Sequence, residues 1–487
     1  MLALIKLSPV IVLGLLIWFG FDVLITAPLA LVYAFLVGMI FARIRFNELM
    51  EAALENLKHI LVVFLILQLA YAVASCFMTT GVSASIINMA LSMGATAKLV
   101  PVIALIVTAI LSIATGTSWG TFAACAPIFL WLNDILGGNV VLTVSAIAGG
   151  SCFGDNIGLI SDTTVVSSNL QGVVITDRVR HQGVWSFLCL VAGAVAFYFA
   201  AVNMGLSDTV GSAGDAMSKI TPEVLTALET EGGSRGPQAV QLLKLVETGV
   251  PYYMCIPLIL VIVLAGIGTN TLVCLFAGIF SSLVFGYFAG TVTSMKDFLD
   301  LVQGSFAEAG SWVIVMMLWI GAFGGVMGRM DAFSAVASLV MKCVSKVRHL
   351  MFANGLLCLI GNAALADEMA QIVTISPIIK DMTEKHVKGD KKVMYKLALR
   401  NATFADAMGV FGSQLIPWHV YLSYFVGVTV AVYPAAKESV TILDMIAHNY
   451  LAWIAVLSML ILTLTGLDRF IPLFRLPSEP EVQLVKE

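Results

Sequence analysis

The chain has 487 residues, 59% of them hydrophobic, and carries 26 basic and 30 acidic side chains for a net charge of −4. Soluble globular proteins run about 45–50% apolar and about 25% charged, so too few polar residues exist here to cover a water-soluble enzyme domain. Nucleic-acid binding is excluded as well, since no Lys/Arg stripe offsets the negative balance.

A spanning helix needs about 20 mostly apolar residues. Runs at 7–20, 23–42, 59–79, 184–203, 251–267, 271–290, 308–328 and 444–467 meet or approach that length. The first is read as a retained helix, because one basic residue precedes it and no A-x-A site follows. Stretches 99–133 and 350–380 are apolar but interrupted near their middles, and 140–176 and 394–433 are long and broken by polar residues. Amphipathic pieces at 46–58 and 295–307 are expected to lie along the interface. The eight cysteines sit almost entirely in apolar runs without CxxC spacing, as small buried hydrophobes do.

Lys and Arg in short loops set the orientation. Arg43, Arg45 and Lys58 place one loop inside, whereas the loop at Lys296 carries Asp297, Asp300 and Glu308 and reads as outside. Lys342, Lys346 and Arg348 mark an inside loop, and 380–400 holds seven bases against three acids. Both flanks of 350–380 are then cytoplasmic, which makes it a re-entrant hairpin; 99–133 is its counterpart from outside. Arg178, Arg180 and His181 fall inside, and the acidic stretch 204–250 is an external connector. The fold expected is an all-α polytopic membrane protein with about 10 transmembrane helices, two re-entrant hairpins, two broken helices and both termini cytoplasmic.

A shift of 251 residues lays Phe153–Gly158 over Phe404–Gly409 and brings the two interruptions together. The organisation expected is an N-terminal helix (1–22), a first inverted repeat (23–181), connecting helices (182–270), a second repeat (271–433) and a C-terminal helix with tail (434–487). Inverted repeats with interrupted helices are the signature of secondary transporters, whose broken segments form the substrate site near the midplane.

The first break, Phe153 to Thr164, concentrates Asp155, Asn156, Ser161, Asp162, Thr163 and Thr164 between apolar flanks. A charge at the centre of a membrane helix costs about 2.5–3.5 kcal/mol even on the lenient insertion scale, so two carboxylates there imply a role. The second break carries Asp406, Ser413, Gln414 and Pro417, and the hairpin tips add Thr117, Ser118, Asp367 and Glu368. Trp418 is as readily an interfacial anchor, and His419 is more readily structural than a proton carrier. Carboxylates and hydroxyls suit a hard cation, and an Asp can hold either a proton or Na+. Asp155 and Asp162 are the first candidates for holding transported Na+ and coupling it to H+, with Asp406 and Asp367 next.

Gly116–Thr121 (GTSWGT), Phe153–Thr164 (FGDNIGLISDTT) and Ser413–His419 (SQLIPWH) resemble the paired motifs of the NhaC family of sodium/proton antiporters, within the ion-transporter superfamily. The resemblance covers about residues 20–465 and implies proton-linked Na+ export across a prokaryotic cytoplasmic membrane by an elevator-like fold with two hairpins. Three departures stand out: Gly158-Leu159 where the family usually has Ser-Pro, Gln414 for a Pro and His419 for an Asn. They motivate a second reading, an ion-coupled transporter of an amino acid or small organic acid. A passive channel would need a continuous polar lining, and no HExxH, GxGxxG or Walker A pattern supports an enzyme. No cofactor is expected beyond the transported Na+ and H+. The partners expected are membrane lipid and the cargo, with no nucleic acid and with a homodimer left open.

Overall fold

The structure, a computed structural model, describes residues 2–19, 21–159, 161–215, 235–267, 269–309, 312–330 and 344–485. Among them 21 α-helices form, with one two-stranded antiparallel ladder, β1 (Val387–Gly389) against β2 (Val482–Leu484). Helix dominates because in lipid the backbone must satisfy its hydrogen bonds within each segment.

The first half begins with α1 (Leu2–Trp18), α2 (Val23–Ile40) and α3 (Phe46–Thr80). Stretch 46–58 is not the separate interfacial piece expected: with no Gly or Pro before Gly81, it continues into one 35-residue helix. Gly81, at φ +98°, then breaks the chain, and α4 (Val82–Ser92) leaves at 64°. Next come α5 (Val100–Thr115) and α6 (Ser118–Ile135), which form hairpin 1. The first broken helix is α7 (Val140–Ile157) with α8 (Asp162–Gln171), followed by α9 (Ile175–Asn203). Stretch 204–250 is more than a connector. Within it α10 (Arg235–Thr248) buries Ala239, Leu242, Leu243 and Val246 and packs on α3 and α4; residues 216–234 lie outside the described residues.

After α11 (Ile256–Gly266) and α12 (Thr271–Ala289), the second half holds α13 (Met295–Ala309) and α14 (Trp312–Arg329). Lys342, used above for orientation, lies outside the described residues. Hairpin 2 is α15 (Val347–Leu365) with α16 (Glu368–His386), and the second broken helix is α17 (Lys391–Ser413) with α18 (Val420–Val432). The chain ends in α19 (Ala436–Ser439), α20 (Ile442–His448) and α21 (Tyr450–Thr465). The single span expected at 444–467 is bent by 60° at Asn449, between α20 and α21.

Among the described residues α2, α7, α9 and α12 are each long and apolar enough to cross a bilayer, and the bent pairs α3/α4 and α20/α21 bring the number to six. The remaining apolar helices are shorter, so unbroken length does not reach the ten crossings expected. Lipid-facing stripes are plain on the surface. Ile25, Leu29, Val32, Leu36 and Ile40 of α2 are exposed at helical spacing, an apolar band that water would not tolerate. The chain is a multi-pass helical membrane protein.

The two hairpins turn alike. Gly116 (φ 64°, ψ 20°) and Ala366 (φ 57°, ψ 17°) are left-handed caps, and Thr117 (φ −145°, ψ 131°) and Asp367 (φ −147°, ψ 130°) are extended. Each second-half residue lies 250 positions after its counterpart, as Pro377 does after Pro127. The caps of the long broken helices, Asn139 and Asp390, are 251 apart, as are Asp155 and Asp406. The spacing of 251 thus applies to the broken helices, and the hairpin tips align one residue differently.

Candidate ion-binding site

Gly158 (φ −68°, ψ 128°) takes the chain out of α7, and Ser161 starts α8 by accepting the Thr164 N–H at 3.4 Å. Asp155 therefore sits in the last turn of α7 with the hydroxyls of the α8 start before it. Close packing fixes α7 there. A Cβ on Gly154 would lie 2.1 Å from the Ile113 nitrogen and 2.2 Å from the Ser112 carbonyl carbon, and one on Gly150 would lie 2.4 Å from the Leu105 oxygen. Small residues four apart let α5 and α7 touch backbone to backbone.

Asp155 is 4% exposed. Its Oδ1 accepts the Ser161 hydroxyl at 2.6 Å; its Oδ2 accepts the Ser118 hydroxyl at 2.7 Å, the Ser118 N–H at 3.2 Å and the Tyr421 hydroxyl at 3.2 Å. Thr163 Oγ1 stands 3.0 Å from Ser161 Oγ, so hydroxyl oxygens from hairpin 1, the first break and α18 surround one carboxylate. Aromatic rings hold that convergence. Trp119 packs on Tyr421 at 4.3 Å between centroids, Phe122 stacks on Phe425 at 4.3 Å, and the Tyr424 hydroxyl donates to the Trp119 carbonyl at 2.9 Å.

Asp406, fully buried, accepts Asn156 Nδ2 at 3.0 Å and the Thr164 hydroxyl at 3.5 Å, and forms an ion pair with Arg178. The same guanidinium nitrogen donates to the Asn156 carbonyl at 3.1 Å and to Gln182 Oε1 at 3.0 Å. Arg178 is thus not the inside-loop charge expected: it is fully buried, as is His181, while Arg180 alone of the three is exposed. Sequence reasoning missed Arg178, Gln182 and Tyr421. The four-residue spacing of Arg178 and Gln182, which puts both on one helix face, was the available signal. Glu368 is 6% exposed at the tip of hairpin 2, beside Gly409, and within electrostatic reach of Asp155 and Asp406. Three buried carboxylates thus lie near one another, and one of them, Asp406, is paired with a buried guanidinium.

Several candidates stand apart. Asp162 is exposed and makes no hydrogen bond or ion pair within the described residues; Ser161, Thr163 and Thr164 point inward, which turns the residue between them out. Asp367 caps α16, accepting the Ala370 N–H at 2.7 Å. Thr117 lines an apolar pocket with Leu258, Val261 and Thr271. Ser413 donates to its own helix at Val410 (2.7 Å), and Gln414 accepts from Asn449. His419 is structural: Nδ1 accepts the Tyr421 N–H at 3.2 Å and Nε2 pairs with Asn362 Oδ1 at 3.0 Å. Trp418 donates to the Ala363 carbonyl at 2.6 Å and so fastens the break to hairpin 2 rather than anchoring at the interface.

Helices broken around buried carboxylates, with hairpin tips closing on them, define a secondary transporter and not an enzyme. The sequence profile of the Na+/H+ antiporter family matches residues 1–204 and 150–467, and the chain belongs to that family. It is 23% identical over 401 residues to the Na+/H+ antiporter NhaC of Alkalihalophilus pseudofirmus, covering 81% of this chain and 82% of that one. It is 24% identical to the arginine/ornithine antiporter ArcD of Halobacterium salinarum (80% and 77% covered). It is 23% identical to the malate-2H+/Na+-lactate antiporter of Bacillus subtilis (67% of each covered). The protein is a secondary antiporter.

Proposed function

We propose that the protein exchanges Na+ for H+ across a prokaryotic cytoplasmic membrane by alternating access, with Asp155 as the group for which the two cations compete. The observation that carries this reading is the shell around Asp155, in which every side-chain partner is a hydroxyl. Hydroxyls serve both forms: they donate to a bare carboxylate and turn their oxygens to a bound cation. Ser118, Ser161, Thr163 and Tyr421 would hold Na+ with Asp155. Asp406 takes a different part, since Arg178 already neutralises it; with Glu368 and Asp155 nearby, the pair leaves two carboxylates that a dry interior favours only when protonated or paired with a cation. Hairpins repeated at 250 residues support two related halves, whose opposite orientation rests on the loop charges.

A second reading, ion-coupled exchange of a small carboxylate, is favoured by Arg178, whose Nε and Nη1 have no partner among the described residues, and by relatives named for arginine, ornithine, malate and lactate. Reconstituted vesicles with an internal pH dye separate the two. Added Na+ is expected to move protons in the parent and not in Asp155→Asn; exchange of labelled amino or organic acid with no Na+-driven proton movement would replace the first reading by the second.

A further inference from the structure

A second polar feature lies beyond the Asp155 shell, where α8 packs against α16 and α17. On α8, Thr164, Ser167, Ser168 and Gln171 fall on one helix face and are all buried. That stripe begins at Asp406, which Thr164 meets at 3.5 Å, and ends about 10 Å away by helix rise. There Gln171 Nε2 donates to the Ser376 carbonyl at 2.7 Å and to its hydroxyl at 2.9 Å. Beyond it the seam reaches the half-buried Lys380, which donates to the Leu170 carbonyl at 3.1 Å, and Tyr395, which joins Val174 to Asp177. Facing the stripe, α16 presents Glu368, Gln371 and Ser376, all buried.

Two further observations separate this seam from ordinary helix packing. Buried polar atoms normally have partners, yet Gln371 Nε2 and Oε1, Gln171 Oε1, Glu368 Oε2 and Asp406 Oδ1 have none among the described residues. The corresponding face of hairpin 1 is also different. At the positions 250 earlier, Gln371 and Ser376 become Thr121 and Ala126, and α6 meets α18 through Trp119, Phe122, Tyr424 and Phe425. One hairpin is sealed by aromatic rings, while the other lies on a row of hydroxyls and amides.

We propose that α8, α16 and α17 enclose a hydrated cation pathway. It runs from Asp406 and Glu368 past Gln371, Ser167 and Ser168 to Gln171 and Ser376, and opens at Lys380 and Tyr395. Amide and hydroxyl groups without net charge suit the passage of H+ and Na+, which a chain of water can carry between such groups without trapping them. Movement of hairpin 2 away from α8 widens the seam. The cargo rests on the exchange reading above; the pathway rests on the residues that line it.

The test uses the full chain in vesicles, with Ser168→Cys, Gln171→Cys and, in the aromatic face, Ala126→Cys, each exposed to a small membrane-impermeant cationic thiol reagent. The unsubstituted chain sets the background, since six of its seven described cysteines are buried. Ser168→Cys and Gln171→Cys are expected to react at least tenfold faster than Ala126→Cys, from the face bearing the basic 380–396 loop only, and to keep reacting when Asp155→Asn is added. Background rates from both faces, in variants that melt like the parent, would overturn the pathway. A second measurement holds if a cysteine variant fails to fold: Gln371→Leu should cut the Na+-driven proton flux at least tenfold with half-saturating Na+ unchanged, and an unaltered flux would count against the proposal. Loss of exchange in Asp155→Asn with labelling intact, or the reverse, tells the two claims apart.

Discussion

At Asp155 and Asp406 the same side chain meets opposite surroundings, and mutation should reveal the difference. Asp155 is met by hydroxyls, so Asp155→Asn keeps the shape and removes only the charge: thermal unfolding in detergent should change little while Na+-driven proton flux is lost. Asp406 is met by a guanidinium, and Arg178→Ala leaves a buried carboxylate uncompensated, which costs about 3–5 kcal/mol in comparable sites. The double variant Arg178→Met with Asp406→Leu should recover most of that stability and none of the transport; a melt as low as that of Arg178→Ala would contradict the pairing. Asp155, Asn156, Ser161 and Thr164 were legible in the sequence because a carboxylate within an apolar run demands company. Asp162 reads like Asp155 in the sequence, and its outward direction is not visible there, because a one-residue step from Ser161 does not show which way a helix start turns. Arg178 was hidden by standing at the edge of an apolar run, where a base reads equally well as a loop charge.

Among the elements, the hairpins carry the sharpest local constraints. Gly154→Ala drives a methyl into the α5 backbone and should destabilise by about 1–3 kcal/mol, as overpacking does. Gly183→Ala, with nothing among the described residues within 4 Å of its Cβ, should instead gain up to about 1 kcal/mol from helix propensity. At the tip of hairpin 2, Ala366 holds a left-handed conformation that suits glycine, so Ala366→Gly should stabilise by about 1 kcal/mol. Comparing the three melting curves with the parent checks all of these signs. Both hairpins and both breaks could be seen in the sequence from polar residues at mid-run. The bends at Gly81 and Asn449 could not, because a lone Gly or Asn in an apolar run is compatible with a straight helix.

Across the whole molecule, the tail is a strap that ties hairpin 2 to α17. Arg400, fully buried, donates to Thr463 Oγ1 at 3.0 Å and to the Phe474 carbonyl, lies 3.5 Å from Asp468 and sits 3.6 Å above the Phe474 ring. β2 pairs with β1 beside it, and Glu479 accepts the Val347 N–H at 2.8 Å, capping hairpin 2. Removing residues 467–485 should therefore lower thermal stability by as much as breaking a buried ion pair, about 3–5 kcal/mol; an unchanged melt would show the strap to be dispensable. The sequence presents Arg400 as one of seven bases in 380–400 and residues 434–487 as a C-terminal helix with a tail, because the long-range pairing that buries Arg400 leaves no periodic trace.

Competition of Na+ and H+ at Asp155 is tested most directly by titrating Na+ binding to the purified protein at a series of pH values. If one proton excludes one Na+, half-saturating Na+ rises by about tenfold for each unit fall in pH once Asp155 begins to protonate, and levels off above that range. A half-saturation value that stays flat while pH falls, with the protein still folded, would contradict exchange at this carboxylate.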